Sequence, residues 1–346
     1  MKKLYLPEVK QNATQFIRCR QLDDLRVLGI NANLVRLLTL HPPYHTFEMR
    51  KKNGSFRTIE APNHQLKSLQ RQFNRLLQCV YYLLQPAASH GYIMRVKGRR
   101  NNKNILENAR RHLGAGYLLN VDFQSFFHQV SRQRIQELLQ GPPFQFAPKA
   151  AVTLARLFTH KQRLPMGAPT SPVLSNLISI PLDHQLDKWA QQHSLVYTRF
   201  VDDLTFSSRS APITTEQLAA IQEMCTQQQL RLNEEKTHFY GPDDIKKVTG
   251  LVLNDTVDID PTFYRELQED LLRLRRLTEV HLIVNKHRQD EVVQTFKKEV
   301  EGQINFIGMI EGFDSSIFYD HRQQLRQALH PQEEILSVRW TNAQYF

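Results

Sequence analysis

The sequence predicts an α+β fold built on a ferredoxin-like sheet, and three observations predict it. Residues 117–122 read as a buried strand ending on a carboxylate, Asp122. Residues 196–200 and 204–207 read as a strand pair flanking the turn that holds Asp202 and Asp203. Phe123 to Phe127 follow the first strand and lead into a helix through Leu139; a second helix covers 215–229, and strands at 238–240 and 247–253 follow. Strand, helix, hairpin, helix, strand is the ferredoxin-like order.

The other elements follow in order along the chain. Residues 12–40 read as short helices, because Leu22, Leu25, Leu28, Val35 and Leu38 recur at helical spacing. Two alternating segments at 44–60 flank Asn53-Gly54, a dipeptide that favours a tight turn between paired strands. Pro62 closes this hairpin, and Leu66, Leu69, Phe73, Leu76, Leu77, Val80 and Leu84 mark one face of an amphipathic helix. Asp260-Pro261 is a helix-start signal, and the pattern stays helical to about Leu329.

Composition bounds the function. Hydrophobic residues at 41% and charged residues at 23% fit a soluble globular chain, and no run reaches the roughly 20 apolar residues of a membrane span. The N-terminus meets Pro7 and then polar residues, so no secretory leader is expected. Cys19, Cys79 and Cys225 are odd in number and far apart, which predicts neither disulfides nor zinc and fits a reducing cytoplasm.

The net charge of +11 is uneven. Residues 1–255 carry 34 Lys+Arg against 19 Asp+Glu, whereas from Thr256 onward there are 11 against 15. Arg95, Lys97, Arg99, Arg100, Lys103, Arg110 and Arg111 crowd a short stretch whose one acid is Glu107. Such a surface favours a phosphate backbone, although a basic face kept for solubility gives the same composition.

The chemistry centres on carboxylates. Transfer of a nucleotide to a primer hydroxyl uses two divalent cations about 3.5–4 Å apart. Mg²⁺ prefers carboxylate oxygens, with Mn²⁺ as an alternative ion. Asp122, Asp202 and Asp203, with the backbone of Phe123, can supply such ligands if their strands are neighbours. Asp-Asp in a turn is common by itself. Between apolar segments, two adjacent carboxylates are costly unless they hold metal.

Further candidates surround them. Phe127 can close a sugar pocket against a 2′-hydroxyl, whereas Phe123 and Phe126 serve equally well as core. Residues 164–172 are too rich in Pro and Gly for a regular element, and Gly167 lets backbone approach a nucleotide beside Met166. Lys236 can donate a proton to leaving pyrophosphate, and Arg57 can hold a triphosphate through its planar fork. Either residue alone fits a surface ion pair.

Together, in order, these segments resemble the motif series of a reverse transcriptase, over roughly Arg50 to Asn254. Phe200-Val201-Asp202-Asp203 resembles the tyrosine-x-Asp-Asp box. Residues 119–127 resemble the first-aspartate motif, and Leu164 to Asn176 the Leu-Pro-Gln-Gly-Ala-Pro-Thr-Ser-Pro loop. Asn108-Ala109-Arg110-Arg111-His112 and Val248-Thr249-Gly250 resemble the two retron signatures. Phe200 stands in place of the usual tyrosine, and Met166 in place of the usual glutamine.

The resemblance implies a right-hand polymerase with fingers, ferredoxin-like palm and helical thumb. Fingers and palm would occupy residues 1–255, with an N-terminal helical extension over 1–43, and the thumb 256–346, where Arg273, Arg275 and Arg276 offer a basic face. It implies two Mg²⁺ ions, deoxynucleoside triphosphates, and a cognate structured noncoding RNA copied into branched DNA that stays joined to it. Asn108, His112, Val248, Thr249 and Gly250 would select that RNA, and a separate effector protein would act with the enzyme against phage in a bacterial cytoplasm. Alternatives are a group II intron-like or abortive-infection reverse transcriptase, an RNA-dependent RNA polymerase, or a polymerase-derived RNA-binding protein without catalysis.

Overall fold

Short polar caps set where the N-terminal elements start. The computed structural model describes residues 3–50, 54–100, 103–284 and 290–330. β1 (Leu4–Tyr5) leads into α1 (Leu6–Arg18), whose first turn is closed by Glu8 accepting from the Tyr5 backbone N–H at 2.7 Å. A 3₁₀ turn over Leu22–Leu28 ends at Gly29, φ +73°. α2 (Ala32–Leu40) is capped by Asn31, whose side chain accepts from Asn33 N and Leu34 N. Leu22, Leu25, Val35 and Leu38 are buried as the helical spacing predicts.

β2 (Tyr44–Arg50) and β3 (Phe56–Pro62) pair antiparallel from Tyr44↔Pro62 to Arg50↔Phe56. Gly54 takes φ +83° on the connecting side, while Asn53 lies outside the described residues. Phe47, Met49 and Phe56 are exposed on this hairpin. α3 (His64–Leu84) is capped by Asn63 and buries Leu66, Leu69, Phe73, Leu76, Leu77 and Val80. Leu84, expected on the same face, is exposed in the helix's final position.

After β4 (Ser89–His90), β5 (Val96–Lys97) and α4 (Ile105–Arg110), the chain enters the central sheet. β5 pairs in parallel with β1. β6 (Tyr117–Phe123) is followed by α5 (Phe126–Gln129), α6 (Arg132–Gln140), α7 (Pro148–Phe158) and α8 (Ser171–Gln192). β7 (Val196–Phe200) and β8 (Asp203–Ser208) form the hairpin, and α9 (Thr215–Gln227) and β9 (Leu232–Tyr240) complete the unit. The sheet order is β4-β7-β8-β6-β9. Without β4 this is the ferredoxin-like arrangement that the element order predicts.

Two elements differ from expectation. The helix expected after Phe127 and through Leu139 breaks at Val130, and Ser131 caps a fresh start by accepting from Arg134 N. The strand expected at 247–253 splits into β10 (Lys247–Val248) and β11 (Leu251–Leu253), because Thr249 and Gly250 both take positive φ, +50° and +85°.

Two hydrophobic clusters lie in the unit that ends at Asp244. One joins α1, α2, α3, α6, α7 and the start of α8; the other packs between the sheet, α8 and α9. The three cysteines are buried in them and free. A second compact unit begins at Ile245. It holds β10, β11 and β12 (Val257–Ile259) as an antiparallel meander, then α10 (Pro261–Val284), α11 (Asp290–Glu311) and α12 (Ser316–Leu329), which pack on one another. Asp260 starts α10 by accepting from Thr262 N at 2.9 Å. Among the described residues no helix is long and apolar enough to cross a membrane.

Candidate active site

β6 and β8 bring the carboxylates together. In their antiparallel register Asp122 faces Asp203, and the backbone N–H of Phe123 donates to Asp202 O at 3.0 Å across the mouth of the hairpin. β9 flanks the other side of β6, pairing Asn233 with Asp122, and the register shifts between Asn120 and Asp122. An irregularity of this kind re-aims a side chain at a sheet end.

Electrostatics reflect the crowding. Burial, then the charges of Asp202 and Asp122, raise the Asp203 carboxyl above its ordinary range, and Asp122 also shares a hydrogen bond with it. Asp202 is raised as well, first by burial and then by Asp122; the charges of Lys236 and Arg57 act in the opposite direction. Lys236 Nζ lies 2.8 Å from Asp122 Oδ2. Burial works against that ammonium, but the carboxylates outweigh it and raise its pKa. Carboxylates forced together fit a hard divalent cation, whose charge would relieve the repulsion. Among the described residues, however, no group of three or more His, Cys, Asp or Glu side chains is placed so that it could hold a metal ion.

The nucleotide-side candidates sit on elements tied to one another. Arg57 is on β3, opposite Met49, with its side chain exposed. Glu60, on the same strand, is buried and takes two bonds from Arg163 at 2.8 and 3.1 Å, with His128 Nε2 at 3.4 Å. Burial opposes its charge, yet Arg163 and the nearby histidines hold it below the usual carboxylate range. The Glu60 backbone N–H also donates to Met166 O at 2.7 Å, so the loop at 164–170 is laced to β3. Gly167 adopts φ +134°, and a β-carbon there would lie 2.8 Å from Glu60 O. Phe127 is half-buried on α5, whereas Phe123 and Phe126 are buried and stacked at 5.0 Å.

The basic stretch is partly what charge predicts. Arg95, Lys97, Arg99 and Arg100 are all exposed; Lys97 lies over the Tyr5 ring at 4.7 Å and Arg100 pairs with Glu107 at 2.8 Å. The retron signatures are placed differently from expectation. Asn108 and His112 are each 1% exposed and Val248 is fully buried, so these side chains face the interior and offer no surface to RNA. His112 instead bridges the hairpin that carries the aspartates, with Nδ1 2.7 Å from Ser207 Oγ on β8 and Nε2 2.7 Å from Thr198 Oγ1 on β7. Thr249 is half-buried and Gly250 exposed.

The sequence reading missed a buried network beneath the same turn, formed by Arg199, Asp183, Asn176 and Ser89. An arginine inside the apolar strand 196–200 was the available signal, since a charge is buried only when paired.

A ferredoxin-like sheet that sets carboxylates opposite one another at a hairpin turn has the form of a nucleotidyl-transferring palm. The profile of the family "Reverse transcriptase (RNA-dependent DNA polymerase)" matches residues 49–300. The retron Mx65 reverse transcriptase of Myxococcus xanthus is 28% identical over 312 residues, 83% of this chain and 67% of that protein. The retron Ec86 reverse transcriptase of Escherichia coli is 30% identical over 251 residues, 71% of this chain and 75% of that one. The retron Mx162 reverse transcriptase of Myxococcus xanthus is 30% identical over 261 residues, 66% and 52% of the two chains. The chain belongs to the reverse transcriptase family and, within it, to the retron type: it is an RNA-directed DNA polymerase. Members of the family generally use divalent metal ions, and their template is RNA.

Proposed function

We propose that this polymerase copies part of its own structured noncoding RNA into branched multicopy single-stranded DNA, leaving an RNA–DNA hybrid. The observation that carries the reading is the pairing of Asp122 with Asp203 across β6 and β8, with Asp202 hydrogen-bonded through its carbonyl to Phe123. Asp122, Asp202, Asp203 and the Phe123 carbonyl would hold two Mg²⁺ ions. Those ions, when bound, would supply activation of the priming hydroxyl and neutralisation of the leaving pyrophosphate.

The chain's own residues do the rest. Lys236, charged and already beside Asp122, holds a proton where pyrophosphate departs. Arg57 offers a planar fork to the triphosphate. Met166 and Gly167 form the wall against the base and sugar, and Phe127 excludes a ribose 2′-hydroxyl. Arg95, Lys97, Arg99 and Arg100 track phosphates of the RNA. Thr249 and Gly250 contact the cognate RNA from their turn above the buried Val248, while Asn108 and His112 act from inside the palm unit by shaping its own surface.

The residues from 256 onward act as the thumb, and residues 1–255 as fingers and palm. The priming group is an internal guanosine 2′-hydroxyl, and the enzyme works in the bacterial cytoplasm with a separate effector against phage.

Nucleic acid extracted from the purified protein and treated with RNase or DNase tests the reading. A defined RNA–DNA hybrid is expected. Asp202→Asn is expected to abolish DNA synthesis while RNA binding survives; synthesis persisting in that variant would remove the site assignment. RNA alone, with no deoxynucleotide incorporation in Mg²⁺, would favour a binding protein instead.

A further inference from the structure

We propose that Arg199 and Asp183 form a buried positioning device that fixes the Asp202–Asp203 turn, so that the rate of nucleotide addition depends on the guanidinium's hold on the Val201 carbonyl. The inference rests on the reading of Asp202 and Asp203 as metal-holding carboxylates.

Every N–H of the guanidinium is used. Nε and Nη2 both reach Asp183 at 2.7 Å; Nη1 donates to Asn176 Oδ1 at 2.9 Å and to Val201 O at 2.8 Å; Nη2 also reaches Ser89 Oγ at 3.2 Å. Five donors meet five acceptors, the full capacity of the group. Both charged side chains are fully buried. Burial opposes the arginine's charge, and Asp183 more than offsets it, raising its pKa. Tyr197 Oη fixes the acceptor by donating to Asp183 Oδ1 at 2.9 Å.

Such a pair is poor evidence of a stability role, since well-packed apolar residues of similar volume often do as well. What apolar residues cannot do is grip a carbonyl. The carbonyl gripped belongs to Val201, a β-branched residue at φ +62°, in the left-handed region that such side chains avoid. Gly91 makes room for it: a β-carbon at Gly91 would sit 2.9 Å from Val201 Cγ2.

The next carbonyl, that of Asp202, is held from the opposite side by Phe123 N. Two successive carbonyls of the turn are therefore clamped, one by the arginine and one by β6. Asn176 and Asp183 stand two turns apart on one face of α8, which begins directly after the 164–170 loop. The same guanidinium thus links the nucleotide-side loop's helix, β4 and the metal-side turn.

The experiment uses the full chain with an RNA template, a primer and deoxynucleotides. Arg199→Lys keeps a cation for Asp183 but cannot serve five acceptors. It is expected to fold by circular dichroism, to keep template and nucleotide KM within about threefold, and to lose kcat on the order of a hundredfold. Adding Val201→Gly is expected to recover about tenfold or more of that loss, because glycine holds positive φ without a clamp.

A kcat within about threefold of wild type in Arg199→Lys, or no recovery on adding Val201→Gly, overturns the inference. Should Arg199→Lys fail to fold, Asn176→Ala removes one acceptor and leaves the ion pair. A kcat loss of about tenfold, again recovered by Val201→Gly, is then expected, and an unchanged kcat overturns the proposal. Asp202→Asn in parallel separates the two claims: activity there removes the site reading itself, whereas its inactivity beside an active Arg199→Lys removes only the positioning role.

Discussion

Lys236 donates to Asp122 across β6 and β9, Nζ to Oδ2 at 2.8 Å, so the candidate metal site already holds one positive charge. A bound divalent cation must compete with that ammonium for the same carboxylate oxygen. Lys236→Met removes the competitor, and the Mg²⁺ concentration giving half-maximal synthesis should fall by about fivefold, the Coulomb energy of one exposed charge at contact distance. If the lysine also protonates pyrophosphate, kcat should fall by about a hundredfold in the same variant. A Mg²⁺ titration of primer extension checks both, and an unchanged or increased Mg²⁺ requirement would refute the competition.

The two buried histidines near this hairpin predict an acid-sensitive fold. Burial, then the neighbouring His90 and Arg111, lower His112 to about 3; burial, then Lys103, lower His90 to about 4. In the unfolded chain both titrate near 6.5. Below that pH the unfolded state binds more protons, so their contribution is complete above 6.5 and is lost as pH falls through about 4 for His90 and about 3 for His112. Each histidine adds a slope of up to about 1.4 kcal/mol per pH unit. His112→Gln, which keeps a donor and an acceptor for Ser207 and Thr198, should flatten the thermal midpoint's decline between pH 6.5 and 5. An identical decline in that variant would show that His112 is not its source.

How much of this was legible in the sequence depends on the range of the forces involved. Asp122 and the Asp202-Asp203 turn could be read because apolar strands lead directly into them, and the β2–β3 hairpin because its turn chemistry is local. The first half of β9 could not: Asn233, Glu234, Glu235 and Lys236 lie on an edge strand with a solvated face, which leaves no apolar alternation to detect. The Glu60–Arg163 pair joins residues 103 positions apart, a link that no window reveals. The setting of His112 was illegible for a different reason. A short motif states which residues recur together, but not whether they face solvent or, as here, two hydroxyls inside the palm.

Gly167 gives a test of the loop's attachment to β3. With φ +134° and Glu60 O 2.8 Å from where a β-carbon would lie, Gly167→Ala must push the loop away from the hairpin or strain it. The Met166–Glu60 backbone bond should weaken, and nucleotide KM should rise about tenfold with a smaller change in RNA binding. Gly98→Ala is the control, since it shares positive φ, +75°, but has open space around the added atom. Equal KM values in the two variants would mean that strain alone, and not contact with Glu60, is being measured.

Phe127 and Phe126 are adjacent, with ring centroids 5.8 Å apart, yet they should respond to the same substitution in opposite ways. Phe126 is 3% exposed and stacks on Phe123, so Phe126→Val should cost about 2–3 kcal/mol of stability and leave sugar selection unchanged in the folded fraction. Phe127 is only half-buried, with part of its ring free to meet a substrate. Phe127→Val should leave the thermal midpoint closer to wild type and narrow the preference for deoxyribonucleotides by about tenfold to a hundredfold, the range a single steric contact provides. Paired kcat/KM measurements with a deoxynucleotide and its ribonucleotide counterpart separate the two. A Phe127→Val enzyme that rejects ribonucleotides as strongly as wild type would assign the sugar gate elsewhere and return Phe127 to the core.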